Sequence, residues 1–368
     1  MNPTIMAALL STLSTLHQAQ PTPSPPPPPA PPVVFGATLE GYFARNANHP
    51  DDGNNALRAY DVKTDSFAIQ QAAVVLDAPP AIAEGRRYGL RLDLQFGEAV
   101  GTLQGSSVNE PRPDLYRNVW QAFGTYVLPV GEGLTVDFGK FASPLGIETN
   151  YAKDNDHFSR ALLFDFLPFY HMGARVSYPV GDRVTAYYMI TNGAQQTEDF
   201  NSKQAQHVMV VAKLPGNLQA TGSFWGSIEP AGTERIVDTQ VSWTPTSPVT
   251  FGMDFSHTSV KPEGASSAGT LTGLGLYGRT FRGPWAGAVR YEYLDDAGGL
   301  FARVTQVLQE VTATGEWRPS EGFLVRLELR HDFSDQAVFP ARNASTSSSQ
   351  TTLTAGVVFW IGTKKGAW

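Results

Sequence analysis

Three groups of charged residues stand at spacings that could do chemistry. Arg91 and Asp93 alternate with Leu90, Leu92 and Leu94; Arg290 and Glu292 alternate with Val289, Tyr291 and Tyr293. Arg326, Glu328 and Arg330 alternate in the same way with Val325, Leu327 and Leu329. Successive side chains of a strand point to opposite faces, so each run has one ionic and one oily face. Such a face can guide polar solutes along a wet wall through fixed charge. Alternatively the charges pair across neighbouring strands, each pair contributing roughly 0.2–1 kcal/mol; this bracing role is the preferred reading for most of them. A further set, Lys140, Glu148, Lys153, Asp154, Asp156, His157 and Arg160, lies in or beside the long connection Ser143–Phe169. Within that connection Ala161-Leu-Leu-Phe-Asp-Phe-Leu167 is too apolar to rest in water. The expectation is that it folds into a lumen, with a short helical turn near Ser159–Phe166. The seven charges would then line a constriction, where fixed charge sets selectivity and mixed signs make the preference weak. The competing arrangement is a cap over the rim.

Other constellations dissolve on inspection. Gly273-Leu-Gly275-Leu-Tyr-Gly278 spells a dinucleotide fingerprint, yet it continues a two-residue period and meets the turn Arg282-Gly-Pro284 instead of a helix. Asp51-Asp52-Gly-Asn-Asn55 and Asp154-Asn-Asp156-His157 lack the full spacing of a calcium loop. His157-Phe-Ser159 has no nucleophile elbow around it. No catalytic residue, metal site or cofactor is therefore assigned.

Composition narrows the elements that must position these residues. The 368 residues include no cysteine, which excludes a disulfide scaffold and thiolate chemistry. The net charge of −7, without a basic block, argues against a nucleic-acid partner. Charged residues make up 17%, below the soluble average of about 25%. Past the N-terminus no stretch approaches the ~18 apolar residues of a spanning helix.

From Val33 onward alternation recurs in blocks of about ten residues. They begin near Val34, Ser66, Arg87, Tyr116, Leu134, Tyr170, Arg183, Gln204, Leu218, Glu234, Val249, Thr270, Trp285, Arg303, Gly322 and Thr351. The connections alternate between tight Pro/Gly turns, such as Pro179-Val-Gly-Asp182, and long polar loops, such as Asn46–Asp65. The fold class expected is all-β: a transmembrane up-and-down antiparallel β-barrel of about sixteen strands (range about 14–18), with short periplasmic turns and long external loops. Lipid demands closure and an apolar exterior, which leaves the inner face free to be charged. Trp120, Tyr126, Trp243, Trp285, Tyr293 and Trp317 fall near block ends, where interfacial girdles belong. Residues 1–20 read as a signal peptide and 21–32 as a proline-rich periplasmic spacer, leaving 33–368 for the barrel.

Two stretches carry a resemblance. Leu57-Arg-Ala-Tyr60 leading to Ser66-Phe67-Ala-Ile69-Gln-Gln71-Ala72 is one. The other starts at Gly139-Lys140-Phe141-Ala-Ser-Pro144-Leu-Gly146-Ile-Glu148 and runs through Asp154-Asn155, Ser159-Arg160 and Pro168-Phe169-Tyr170-His171 to Thr191-Asn192-Gly193. With these the chain resembles the putative β-barrel porin-2, OmpL-like family. The resemblance implies an outer-membrane pore-forming barrel of unsettled substrate. The chain departs from barrel convention after Ile361, where Gly-Thr-Lys-Lys-Gly-Ala precedes Trp368. Passive diffusion of small hydrophilic solutes is the function expected. The alternatives are a non-conducting surface adhesin or anchor, and a barrel hydrolase. Expected partners are outer-membrane lipid, barrel-assembly machinery and the solutes themselves, with a homo-oligomer left open.

Overall fold

The computed structural model describes residues 33–368; the expected signal peptide and spacer lie outside the described residues. Strands run as β1 (Val34–Asn46), β2 (Phe67–Ala78), β3 (Tyr88–Phe96), β4 (Val119–Leu128), β5 (Leu134–Ala142) and β6 (Tyr170–Val180). Then come β7 (Val184–Thr191), β8 (Ala205–Leu214), β9 (Leu218–Glu229), β10 (Gly232–Thr246) and β11 (Val249–Lys261). The series continues with β12 (Gly269–Arg282), β13 (Trp285–Asp296), β14 (Gln306–Ser320) and β15 (Phe323–Ser334). A small hairpin, β16 (Phe339–Ala341) and β17 (Ser345–Ser347), precedes the last long strand, β18 (Ser349–Gly362). All but the hairpin form one closed barrel of sixteen strands, each paired with its sequence neighbours and sealed by β18 lying antiparallel to β1.

The barrel closes because the alternating blocks leave no other way to hide strand edges from hydrocarbon. Val289, Leu327, Leu329, Leu353 and Ile361 are exposed on its outside, whereas Arg290, Arg326 and Arg330 are buried inside. No helix among the described residues is long and apolar enough to cross a membrane. Turns on one rim are tight: two residues join β10 to β11, β12 to β13 and β14 to β15. The opposite rim carries the long loops, with one exception, the two-residue link between β9 and β10. On the short rim the connection from β2 to β3 is the long exception, held by a 3-10 turn at Ile82–Glu84.

Two sequence expectations need correction. Trp120 is buried in a cluster with Tyr60, Tyr151 and Tyr170 instead of joining a girdle, because the β3–β4 register slips there and leaves it as the extra residue of a bulge, between the Gln121–Asp93 and Val119–Leu94 pairs. Tyr126, Trp243, Trp285, Tyr293 and Trp317 are exposed on the outer wall. The helical turn in the long connection is shorter than expected, spanning Leu162–Phe166, and a 3-10 turn at Ala152–Asp154 precedes it.

Candidate functional site: a loop socketed in the barrel

The connection between β5 and β6 passes through the lumen, and the wall meets it with charge on every side. Glu40 of β1 accepts the Ala152 amide at 2.8 Å, and Asp254 of β11 accepts the Ile147 amide at 3.1 Å. Glu292 of β13 takes the amides of Leu162 and Leu163, at 2.5 and 2.9 Å, at the start of the short helix. Glu328 of β15 takes those of Phe158 and Ser159, at 2.7 and 3.0 Å. The arginines serve the carbonyls. Arg326 donates to Ala152, Asn155 and His157; Arg290 donates to Ser159 and Arg160; Arg330 donates to Arg160. A backbone withdrawn from water must find partners, and here the wall's side chains supply them.

The same wall charges also pair with each other. Arg290 meets Glu310 at 2.7 Å, Arg330 meets Asp332 at 2.7 Å, and Arg326 meets Glu316 at 2.7 Å. Arg91 and Asp93 pair at 2.8 Å, and Asp93 also accepts the Tyr151 hydroxyl of the loop. The lumen-wall residues thus brace the barrel and hold the loop together, and the loop covers them.

The loop's own charges divide between the loop itself and the barrel wall. Arg160 donates to the carbonyls of Thr149, Asn150 and Phe158 and lies over the Tyr60 ring. Glu148 accepts the Ala161 amide and pairs with Arg290. His157 bonds Thr314 through Nδ1, 2.7 Å away. Lys153 pairs with Asp154 and also reaches the Gly366 carbonyl. Lys140 is set apart, donating to the Val119 carbonyl with its ammonium over Tyr170. Asp156, paired with Arg279 at 3.3 Å, has a side chain 35% exposed and is the most open of the seven. It borders a cavity of about 210 Å³ with Glu148, Asn155, Ser242, Thr250 and Tyr277.

Shape complements charge. A side chain at Gly273 of β12 would run into Leu163, 2.7 Å away, so the glycine is a hole that accepts this leucine. Gly356 of β18 accepts Phe158 in the same manner. The residue run that mimics a nucleotide motif is therefore part of the socket. Beyond β18 the chain turns in: Trp368 covers Gly36, donates from its amide to Asp154 at 3.0 Å and meets Tyr151 edge-on.

Sequence reasoning missed Glu40, Asp254, Glu310 and Asp165. None has a charged residue two positions away, the spacing that marked the others; the inward parity of Glu40 with Thr38 and Tyr42, and of Asp254 with Ser256 and Thr258, could have found those two. Asp165 accepts the Ala59 amide with one oxygen, while the other is buried without a partner. Burial pushes its carboxyl up from 3.8 to about 7, against the opposing pull of Arg330. A raised acid favours the seated loop when protonated. Its contribution is complete below about 4, falls as pH rises and is lost once pH passes about 7. The melting temperature of purified barrel should decline over that window, and Asp165→Asn should remove that part of the decline. An unaltered pH profile in the variant would refute the assignment.

Among the described residues no group of three or more His, Asp or Glu is placed to hold a metal. Ser159 and His157 do not form a nucleophile–base pair: the serine hydroxyl receives Arg290 and Arg330, and the histidine bonds Thr314.

A closed antiparallel barrel with an oily outside, an ionic inside and a loop folded through it is a porin-like channel of the bacterial outer membrane. Solved structures share the fold. OmpT of Vibrio cholerae superposes with a TM-score of 0.59 at 12% identity, covering 89% of this chain and 97% of that one. The anion-selective porin from Comamonas acidovorans gives 0.60 at 9% identity, covering 89% and 99%. The channel DcaP of Acinetobacter baumannii gives 0.57 at 11%, covering 89% and 97%. No curated protein matches the chain. The chain belongs to the putative beta-barrel porin-2, OmpL-like family, whose model matches residues 32–361.

Proposed function

We propose that this porin-like channel passes small hydrophilic solutes by passive diffusion, and that the loop between β5 and β6 sets how much passes. The observation that carries the reading is the socket: lumen-facing charges on β1, β11, β13 and β15 all converge on one loop. A hydrolase reading loses support from Ser159, whose hydroxyl is engaged by two arginines and has no base beside it. The cavity beside Asp156 is lined by Glu148, Asp154 and Asp156 with no basic side chain, and Arg279 pairs with Asp156 from outside it, which suits neutral or cationic polar solutes. A trimer form is recorded for the similar OmpT, and an oligomer through the apolar outer wall suits this chain as well.

Deleting Asn150–Asp156 removes the segment that Glu40 and Arg326 hold. Planar-bilayer recordings should then show a conductance increase of severalfold and altered ion selectivity. Conductance and selectivity equal to those of the parent would eliminate the loop as the limiting element. Liposome swelling with sugars, amino acids and anions would rank the solutes, and no swelling with any of them would favour the anchor reading.

A further inference from the structure

We propose that the lumen wall of β9, β10 and β11 holds one calcium ion between Asp238 and Asp254. The strand register sets Ser223, Asp238 and Ser256 directly side by side on the inner face, with Asp254 two residues before Ser256. Asp238 and Asp254 are diagonal neighbours across β10 and β11, since Gln240, two residues after Asp238, pairs with Asp254. All four side chains are more than nine-tenths buried. Each offers a buried oxygen that has no partner: Asp238 Oδ2, Asp254 Oδ1, Ser223 Oγ and Ser256 Oγ.

The buried acids Glu310, Glu316 and Asp332 each face an arginine, whereas neither Asp238 nor Asp254 has a basic partner among the described residues. Their remaining oxygens are already used. Asp238 Oδ1 accepts Gln240, which also donates to the Pro144 carbonyl, and Asp254 Oδ2 accepts the Ile147 amide. Two adjacent unneutralised carboxylates in a dry wall are costly. A divalent cation cancels both charges and takes the Ser256 hydroxyl oxygen as a further ligand, Ser223 lying on the far side of β10 from Asp254. Calcium tolerates an irregular oxygen set completed by water, which magnesium's strict octahedron does not. The cavity of about 210 Å³ reaches Ser242 and Gly252, one row away from Gln240 and Asp254, and gives the ion a way in. Because Asp254 and Gln240 also hold the Pro144–Ile147 stretch, an ion here would fasten the point where the loop enters the barrel.

The test uses the purified full-length chain in detergent, stripped with EDTA and titrated with calcium chloride alone. Calorimetry should give one bound ion per chain, and the melting temperature should rise by a few degrees at saturating calcium. Asp238→Asn with Asp254→Asn keeps the acceptors for Gln240 and Ile147 while removing the charge, and should abolish both effects. Ser256→Ala should weaken binding severalfold without abolishing it. Absence of calcium binding to the parent would overturn the proposal; so would equal binding by the double variant. A parent that responds to pH but not to calcium would also overturn it, since the two acids would then share a proton. The readout involves no conductance, so its failure is separate from failure of the channel reading.

Discussion

Single-channel recordings of an Arg290→Ala variant are expected to show a larger and more variable conductance than the parent. Arg290 sits where the barrel wall and the loop share charge: it meets Glu310 of β14 and Glu148 of the loop, both at 2.7 Å. It also serves the carbonyls of Ser159 and Arg160. Removing one member of a buried ion pair typically costs about 3–5 kcal/mol, because the remaining charge stays buried and unpaired. Glu310 keeps Arg330, but Glu148 loses its cation, and it can recover hydration only by moving into water. At ~1.4 kcal/mol per factor of ten, the seated state would lose about two to three and a half orders of magnitude over the displaced one. Arg290→Lys keeps the charge without the planar fork and should fall between. A folded Arg290→Ala barrel with the parent's conductance would show that this ion pair does not hold the loop.

Gly356→Leu should displace the loop by bulk instead of charge. Gly356 faces inward from β18, and Phe158 occupies the space its side chain would need. Phe158 is fully buried beside Tyr42, Leu324, Val358 and Trp360, so it has little room to retreat. Overpacking of this kind costs about 1–3 kcal/mol. Moving Phe158 also pulls the Phe158 and Ser159 amides from Glu328, which adds to the penalty. Limited proteolysis within 143–169 should become markedly faster in the variant. Adding Phe158→Ala empties the contested space, so the double variant should be less sensitive than the sum of its singles predicts. Strict additivity would mean that the two residues do not compete for one site.

The barrel was legible in the sequence because its signal is local. Alternation places each strand, and the start expected near each block lies close to an observed strand, from Val34 in β1 to Thr351 in β18. The long connection between β5 and β6 declared itself through Ala161–Leu167, which is apolar where a solvated loop would not be. The partners of that loop were hidden for a physical reason. Arg326 spends its donors on backbone carbonyls of residues some 170 positions earlier, and a carbonyl carries no residue identity. Lys153 and Arg160 looked like solute-facing charge, yet their partners are also largely main-chain atoms. Asp238 and Asp254 belong to different strands, and only the pairing register brings them together.

The seating of the loop has a consequence for biogenesis. Its anchors come from both extremes of the chain, Glu40 near the start and Glu328 close to the end, so the docking surface is complete only after β18 has zipped to β1. Full seating of the loop therefore cannot precede closure of the barrel.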